Sequence, residues 1–341
     1  MPGDWVALHV FYASDSNPII VEAVRPLVEE LRRDEVIDGW FFIKYWMEGP
    51  HLRVRFRPRT PGLRCEVTER ARQALQAFLD RRPALYDTDV AGLGDLYKKM
   101  YIAEYGEQRW ASEYGDGEMP FRPNNSIAVL PYEPEYDRYG GPIGIDIAEW
   151  HFERSSDMVA SLLATSNTHV RPVLLGLATQ LSLMTAYTFL RDDESVRRFF
   201  QRYRDFWETS YQEPSDDYHG SFDKSYELTR HTLIERIDRI RAIAGVEPPQ
   251  ALSGVERAWL THCVELRGRV LGAAGRGDLV FPSRRLDGKA PIEDPDTLAT
   301  VLLSSYIHMT NNRLGVAILD EIYLSYLVER ALEPHAEQVS A

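Results

Sequence analysis

The segment HLRVRFRP, His51 to Pro58, alternates strictly between polar and apolar residues. Alternate residues of a strand share a face, so His51, Arg53 and Arg55 stand on one side and Leu52, Val54 and Phe56 on the other. Cationic groups two residues apart lie about 6–7 Å from each other and repel unless an anion sits between them. Two readings follow. One is a solvated charged face with weak surface ion pairs. The other is an anion clamp, in which the planar guanidinium forks match a carboxylate.

A second cluster is YEPEYDRYGG, Tyr132 to Gly141, which follows a strand and precedes a long helix. The pair Gly140-Gly141 permits positive φ or close backbone approach. Glu135 and Arg138 either pair locally in a charged turn or place Arg138 in a cleft, oriented by the carboxylate. A third cluster is SSYIHMTNNRLG, Ser304 to Gly315. His308 and Asn312, four apart, share a helix face amid apolar neighbours. Such a histidine is either a satisfied structural residue or, if it faces a cleft, a proton carrier.

Other chemistries lack their residues. There is no Walker lysine loop, H-E-x-x-H, G-x-S-x-G or C-x-x-C. Gly92-Leu93-Gly94 has neither a third glycine nor a preceding strand, which leaves a dinucleotide fingerprint unsupported. The nine histidines show no metal-ligand spacing, so neither a metal nor a cofactor is expected.

The elements that must carry these residues follow from the apolar pattern. Trp5–Ala13, Gly39–Trp46, His51–Pro58 and Asn125–Pro131 read as strands, Ile19–Arg33 and Cys65–Leu79 as helices. Glu48-Gly49-Pro50 is a turn. The order βαββα predicts an α+β fold, a ferredoxin-like N-terminal mixed sheet with helices on one face. Tyr97–Tyr114, rich in Tyr and Glu, fits no single pattern.

Beyond Gly141 the chain turns helical: Ile147–Ala164, Val173–Leu190, Asp193–Tyr211, Tyr226–Ala244, Gly254–Gly272, Asp296–Asn311 and Val316–Ala331. Tyr211–Ser225 and Gly275–Pro295 read as loops. The expected organisation is a single domain, with residues 1–141 forming the sheet part, 142–333 the helical part and 334–341 a tail.

The 341 residues carry 44% apolar and 27% charged side chains, ordinary values for a folded chain. Thirty-nine Lys and Arg against fifty-two Asp and Glu leave a net charge of −13, which disfavours direct nucleic-acid binding. Two cysteines, Cys65 and Cys263, cannot build a disulfide scaffold, and both read as small buried hydrophobes. The N-terminus has no signal-peptide pattern, and the apolar run at Val173–Leu190 is short for a bilayer span, so a cytoplasmic protein without membrane attachment is expected.

WFFIKYWMEGPHLRVRFR, YEPEYDRYGG with the following Glu149 and Phe152, and HMTNNRLG together resemble the C-terminal elimination domain of class I lanthipeptide dehydratases. That domain also occurs as a separate chain in thiopeptide biosynthesis. The resemblance runs from Trp5 to about Leu327. It implies a glutamate lyase that converts glutamylated Ser or Thr of a precursor peptide to dehydroalanine or dehydrobutyrine. A separate tRNA-dependent protein would attach the glutamate, and a homodimer is an allowed assembly.

By the same resemblance Arg53, Arg55, Glu135, Arg138 and His308 are catalytic. His51, Tyr139, Asn312 and Arg313 are the expected substrate contacts. The scaffold also resembles thiopeptide pyridine synthases, which join two dehydroalanines in a formal 4+2 cycloaddition and release the leader peptide. A third reading is a non-catalytic module that binds precursor peptide along a sheet edge.

Overall fold

The computed structural model describes residues 5–87, 90–211, 218–244, 252, 254–282 and 288–333. The predicted tail, 334–341, lies outside the described residues. The chain divides into two compact units. One is Met1–Glu135 with Glu149–Ser166, and the other is Tyr136–Ala148 with Asn167–Ala341.

The first unit is built on a four-stranded sheet of β1 (Val6–Phe11), β2 (Ile37–Tyr45), β3 (His51–Pro58) and β4 (Ser126–Val129), in spatial order β2-β3-β1-β4. This is the strand order expected of a ferredoxin-like fold, but every pairing is antiparallel rather than mixed. The reason is topological. The helical crossover from β1 to β2 leaves those strands parallel, yet β3 inserts between them and pairs antiparallel with both.

The crossover is a short helix α1 (Asn17–Ile19), a π-helical turn (Ile20–Val24) and α2 (Arg25–Arg33). Leu27, Val28 and Leu31 of α2 are buried, as are Val67, Ala71, Leu75 and Phe78 of α3 (Arg64–Arg81). They cover the sheet face formed by Val6, Leu8, Val10, Leu52, Val54 and Phe56, each at most 1% exposed. Cys65 is exposed, contrary to expectation, because the first turn of α3 turns it away from that face. Cys263 is buried.

The segment that fitted no pattern forms two helices, α4 (Val90–Tyr105) and α5 (Glu107–Glu113). Their aromatic residues Tyr97, Tyr101 and Trp110 make a satellite core with Met119. After α6 (Tyr136–Tyr139), the long helix α7 (Pro142–Thr165) contributes to both units. Its residues from Glu149 onward belong with the sheet, because they cover the edge strand β2. Ser156 Oγ accepts the Phe42 backbone N–H at 3.2 Å, and Asp157 accepts the Trp40 indole N–H at 2.9 Å. An edge closed in this way offers few free strand groups to another chain.

The second unit holds α8 (Arg171–Leu190), α9 (Asp193–Tyr211), α10 (His219–Ala244), α11 (Gly254–Gly275), α12 (Pro295–Leu314) and α13 (Ile318–Ala331). A two-residue ladder joins β5 (Phe281–Pro282) to β6 (Lys289–Ala290). Helix α10 starts at His219, so the second half of the expected Tyr211–Ser225 loop is helical; 212–217 lie outside the described residues. Helix α8 is long and apolar enough to cross a membrane, but 72% of its most apolar stretch is buried inside the protein. It is flanked by α11, α10 and α12.

Candidate functional site

In the sheet unit, the face away from α2 and α3 carries the predicted cations. Register places His9 opposite Arg53, Ala7 opposite Arg55 and Phe11 opposite His51 on β1, and Tyr45, Ile43 and Phe41 opposite His51, Arg53 and Arg55 on β2. His51 and Arg55 are 4% and 7% exposed, so this is no solvated face.

The Arg53 guanidinium lies 3.6 Å from the Tyr45 ring centroid and donates from Nε to His51 Nε2 at 3.0 Å. His51 Nδ1 lies 2.8 Å from the Gly49 carbonyl. An arginine donor on one nitrogen and a carbonyl on the other fix His51 as the neutral Nδ1–H tautomer. Burial, and then the field of Arg53, push His51 down to about 3 and His9 to about 2. The two neutral rings stack at 5.0 Å.

Arg55 is packed between Tyr132, at 4.5 Å from its ring centroid, and Phe41, at 5.0 Å. Its Nε has no hydrogen-bond partner among the described residues. Burial pushes the guanidinium down to about 10, and Arg53 adds repulsion, partly offset by Tyr132, Glu135 and Glu149. Glu149 is itself buried and accepts the Trp5 indole N–H at 3.0 Å. Among the described residues no carboxylate forms an ion pair with Arg53 or Arg55. Two desolvated cations on aromatic faces, without an anionic partner, form a seat for a bound anion.

In the helical unit, Gly140 and Gly141 adopt φ of +85° and +92°. A Cβ on Gly140 would lie 2.7 Å from Phe281 Cζ. The chain reversal this permits ends α6 and presents Arg138 to a pocket of about 230 Å³. Arg202, Tyr203, Phe206, Trp207, Ser304 and His308 also line it.

His308 packs against Trp207 with ring centroids 4.6 Å apart. Its Nδ1 lies 2.8 Å from Oε1 of Glu321, whose side chain is fully buried. The other oxygen of Glu321 accepts from the Tyr203 hydroxyl and from Asn311 Nδ2. Three donors converge on one carboxylate, an arrangement that suits its anionic form. Burial, and then the Glu321 charge, hold the Tyr203 phenol well above its ordinary range.

The predicted residues thus fall into two groups. His51, Arg53 and Arg55 come together on the sheet face; Glu135 is exposed in the same unit, and its charge favours both arginines. Arg138 and His308 line one pocket of the helical unit. Arg313 is fully buried and donates from Nη1 to the Met309 carbonyl at 2.7 Å. Tyr139 is buried and stacks on Tyr306, and the Asn312 carbonyl accepts the Gly315 N–H that closes α12.

Glu321, Tyr203 and Trp207 were missed. The available signal was a carboxylate in the apolar stripe of α13, where Glu321, Ser325 and Val328 share a buried face. Among the described residues no group of three or more His, Cys, Asp or Glu could hold a metal ion.

Residues 5–332 match the C-terminal family of lantibiotic biosynthesis dehydratases. The chain belongs to that family. No curated protein matches the sequence. Among solved structures, one similar to it is the pyridine synthase TbtD from thiomuracin biosynthesis, at 19% identity and a TM-score of 0.76, over 96% of this chain and 97% of that one. A second is TsrL, at 18% identity and a TM-score of 0.66, over 97% and 95%. A third is the tRNA-dependent lantibiotic dehydratase MibB from Microbispora sp. 107891, at 19% identity and a TM-score of 0.50. The likeness there covers 96% of this chain but 28% of MibB. At these identities the likeness establishes the fold.

Proposed function

We propose that this member of the dehydratase C-terminal family is an enzyme that modifies Ser- or Thr-derived positions of a ribosomally made precursor peptide. Its leading chemistry is that of a pyridine synthase, the formal 4+2 joining of two dehydroalanines with release of the leader peptide. The observation that carries this reading is the end-to-end likeness to TbtD, covering 96% of this chain and 97% of that one. Such a reaction shifts charge onto peptide carbonyl oxygens and moves protons during ring closure. In the helical unit, a half-buried histidine beside a buried carboxylate suits the proton movement, and Arg138 lining the same pocket suits the developing charge.

A second chemistry, β-elimination of glutamate, is favoured by a specific observation. Arg53 and Arg55 are desolvated and have no carboxylate partner among the described residues. All five residues that the resemblance marks for elimination are present: Arg53, Arg55, Glu135, Arg138 and His308. In that reaction a base removes the Cα proton of the glutamyl ester, the Cβ–O bond breaks and glutamate leaves as the carboxylate. Pre-placed donors of this kind are worth about 3–4 kcal/mol each to a developing anion. A separate protein would attach the glutamate, and the reaction would run in the cytoplasm.

Mass spectrometry with the purified chain separates the two. A peptide bearing two dehydroalanines behind a leader is expected to lose the leader and gain a ring. A peptide carrying a glutamyl ester on Ser is the alternative substrate; its conversion to a species one water lighter than the Ser peptide, with free glutamate, would replace ring formation by elimination. Retention of both peptides unchanged would reduce the chain to a binding module.

A further inference from the structure

We infer that Glu321 is a positioning residue that sets the tautomer of His308, so that the Nδ1 proton points inward to the carboxylate and Nε2 is left to accept a proton in the pocket. The inference rests on the reading of His308 as a proton carrier. The geometry leaves little freedom. His308 Nδ1 is 2.8 Å from Glu321 Oε1, and the carboxylate side chain has no exposed surface. The Tyr203 hydroxyl and the Asn311 amide both donate to Oε2, so that side of the carboxylate is committed to accepting.

An ionised carboxylate can only accept, so the proton on this pair belongs to His308 Nδ1. The three donors come from two helices, Tyr203 on α9 and both His308 and Asn311 on α12, so α13 presents Glu321 to a fixed cage. Besides Tyr203 and Trp207, the polar or charged groups facing the same pocket are Arg138 on α6, Arg202 on α9, and Thr300, Ser304 and Ser305 on α12. Against Glu321 itself there is an internal cavity of only about 10 Å³. That is at the lower limit for a single water, so solvent does not substitute for the carboxylate.

Glu321→Gln is the informative substitution, because it is nearly isosteric. Its carbonyl oxygen takes the place facing Tyr203 and Asn311, where only an acceptor fits. Its NH2 then faces His308 Nδ1 and forces that nitrogen to accept. The proton moves to Nε2, and the imidazole can no longer act as a base in the pocket.

The test is a two-bond 1H–15N correlation spectrum of ¹⁵N-histidine protein, with His308 assigned by its loss in His308→Gln. The expected result is a neutral Nδ1–H tautomer in the wild type and Nε2–H in Glu321→Gln. Turnover on the substrate that the wild type accepts should fall about 10²- to 10⁴-fold, mainly in kcat. Tyr203→Phe keeps the carboxylate and should keep the Nδ1–H tautomer; it serves if Glu321→Gln does not fold.

An Nε2–H tautomer in the wild type would overturn the inference, as would an unchanged tautomer in a folded Glu321→Gln. If the wild type turns over neither peptide, the functional reading fails, while the spectra still decide the tautomer.

Discussion

Arg55 is held in its charged form at a cost, and nothing among the described residues compensates that cost with an ion pair. Replacing the buried cation by an apolar residue of similar length removes the cost of desolvating its charge. Arg55→Met is therefore expected to raise or preserve the unfolding temperature while abolishing turnover. A melting scan beside the mass assay checks it, and a strong loss of stability would make Arg55 structural instead. The histidines beside it give a second expectation. His9 and His51 have folded-state values near 2 and 3 against an ordinary 6.5, chiefly through burial. Below pH 6.5 the unfolded chain binds protons that the folded chain refuses, so stability is full above that pH and falls as pH drops toward 3. At pH 5 the loss is about 2 kcal/mol per histidine. Denaturant melts from pH 7 to pH 4 should show this slope, and His9→Gln should flatten part of it. The sequence exposed these cations through strict alternation. It did not expose the neutral state of their histidines, which depends on β1 and the Gly49 carbonyl closing over them.

At the scale of elements, α7 is tied to β2 by a few specific bonds. Asp157 accepts from the Trp40 indole and forms a two-point ion pair with Arg32. Asp157→Ala orphans a buried indole N–H and is expected to destabilise by about 1–3 kcal/mol. Urea titration measures this, with the Trp40 emission shifting red as water reaches the ring. Gly140 is the corresponding point in the helical unit. An alanine there meets Phe281 and a positive φ together, so Gly140→Ala should lower the melting temperature and weaken the pocket that Arg138 lines. Both strand and helix patterns were legible from apolar periodicity. The α4–α5 pair was not, because its aromatics pack among themselves in a satellite core and leave no single apolar stripe. The His308–Glu321 pair was hidden for another reason. Thirteen residues and a helix break separate its members, and only the packing of α12 against α13 brings them together.

For the molecule as a whole, the division into units predicts which fragments stay soluble. Residues 1–166 keep the α7 segment that closes the β2 edge, whereas residues 1–141 lose it and bare Phe42 and Trp40. The longer fragment should elute as a discrete species on gel filtration and the shorter one should aggregate. A soluble 1–141 fragment would show that the edge needs no cover. The net charge of −13 carries its own expectation. Gel-shift titration with bulk tRNA at physiological salt should show no complex, because a net acidic surface repels the phosphate backbone.

The packing of His308 against Trp207 gives the pocket an optical gauge. The emission of an indole depends on what touches its ring, so Trp207 fluorescence changes when a ligand separates the two rings. The chain thus carries a dye-free readout of occupancy, suited to screening small molecules against the pocket.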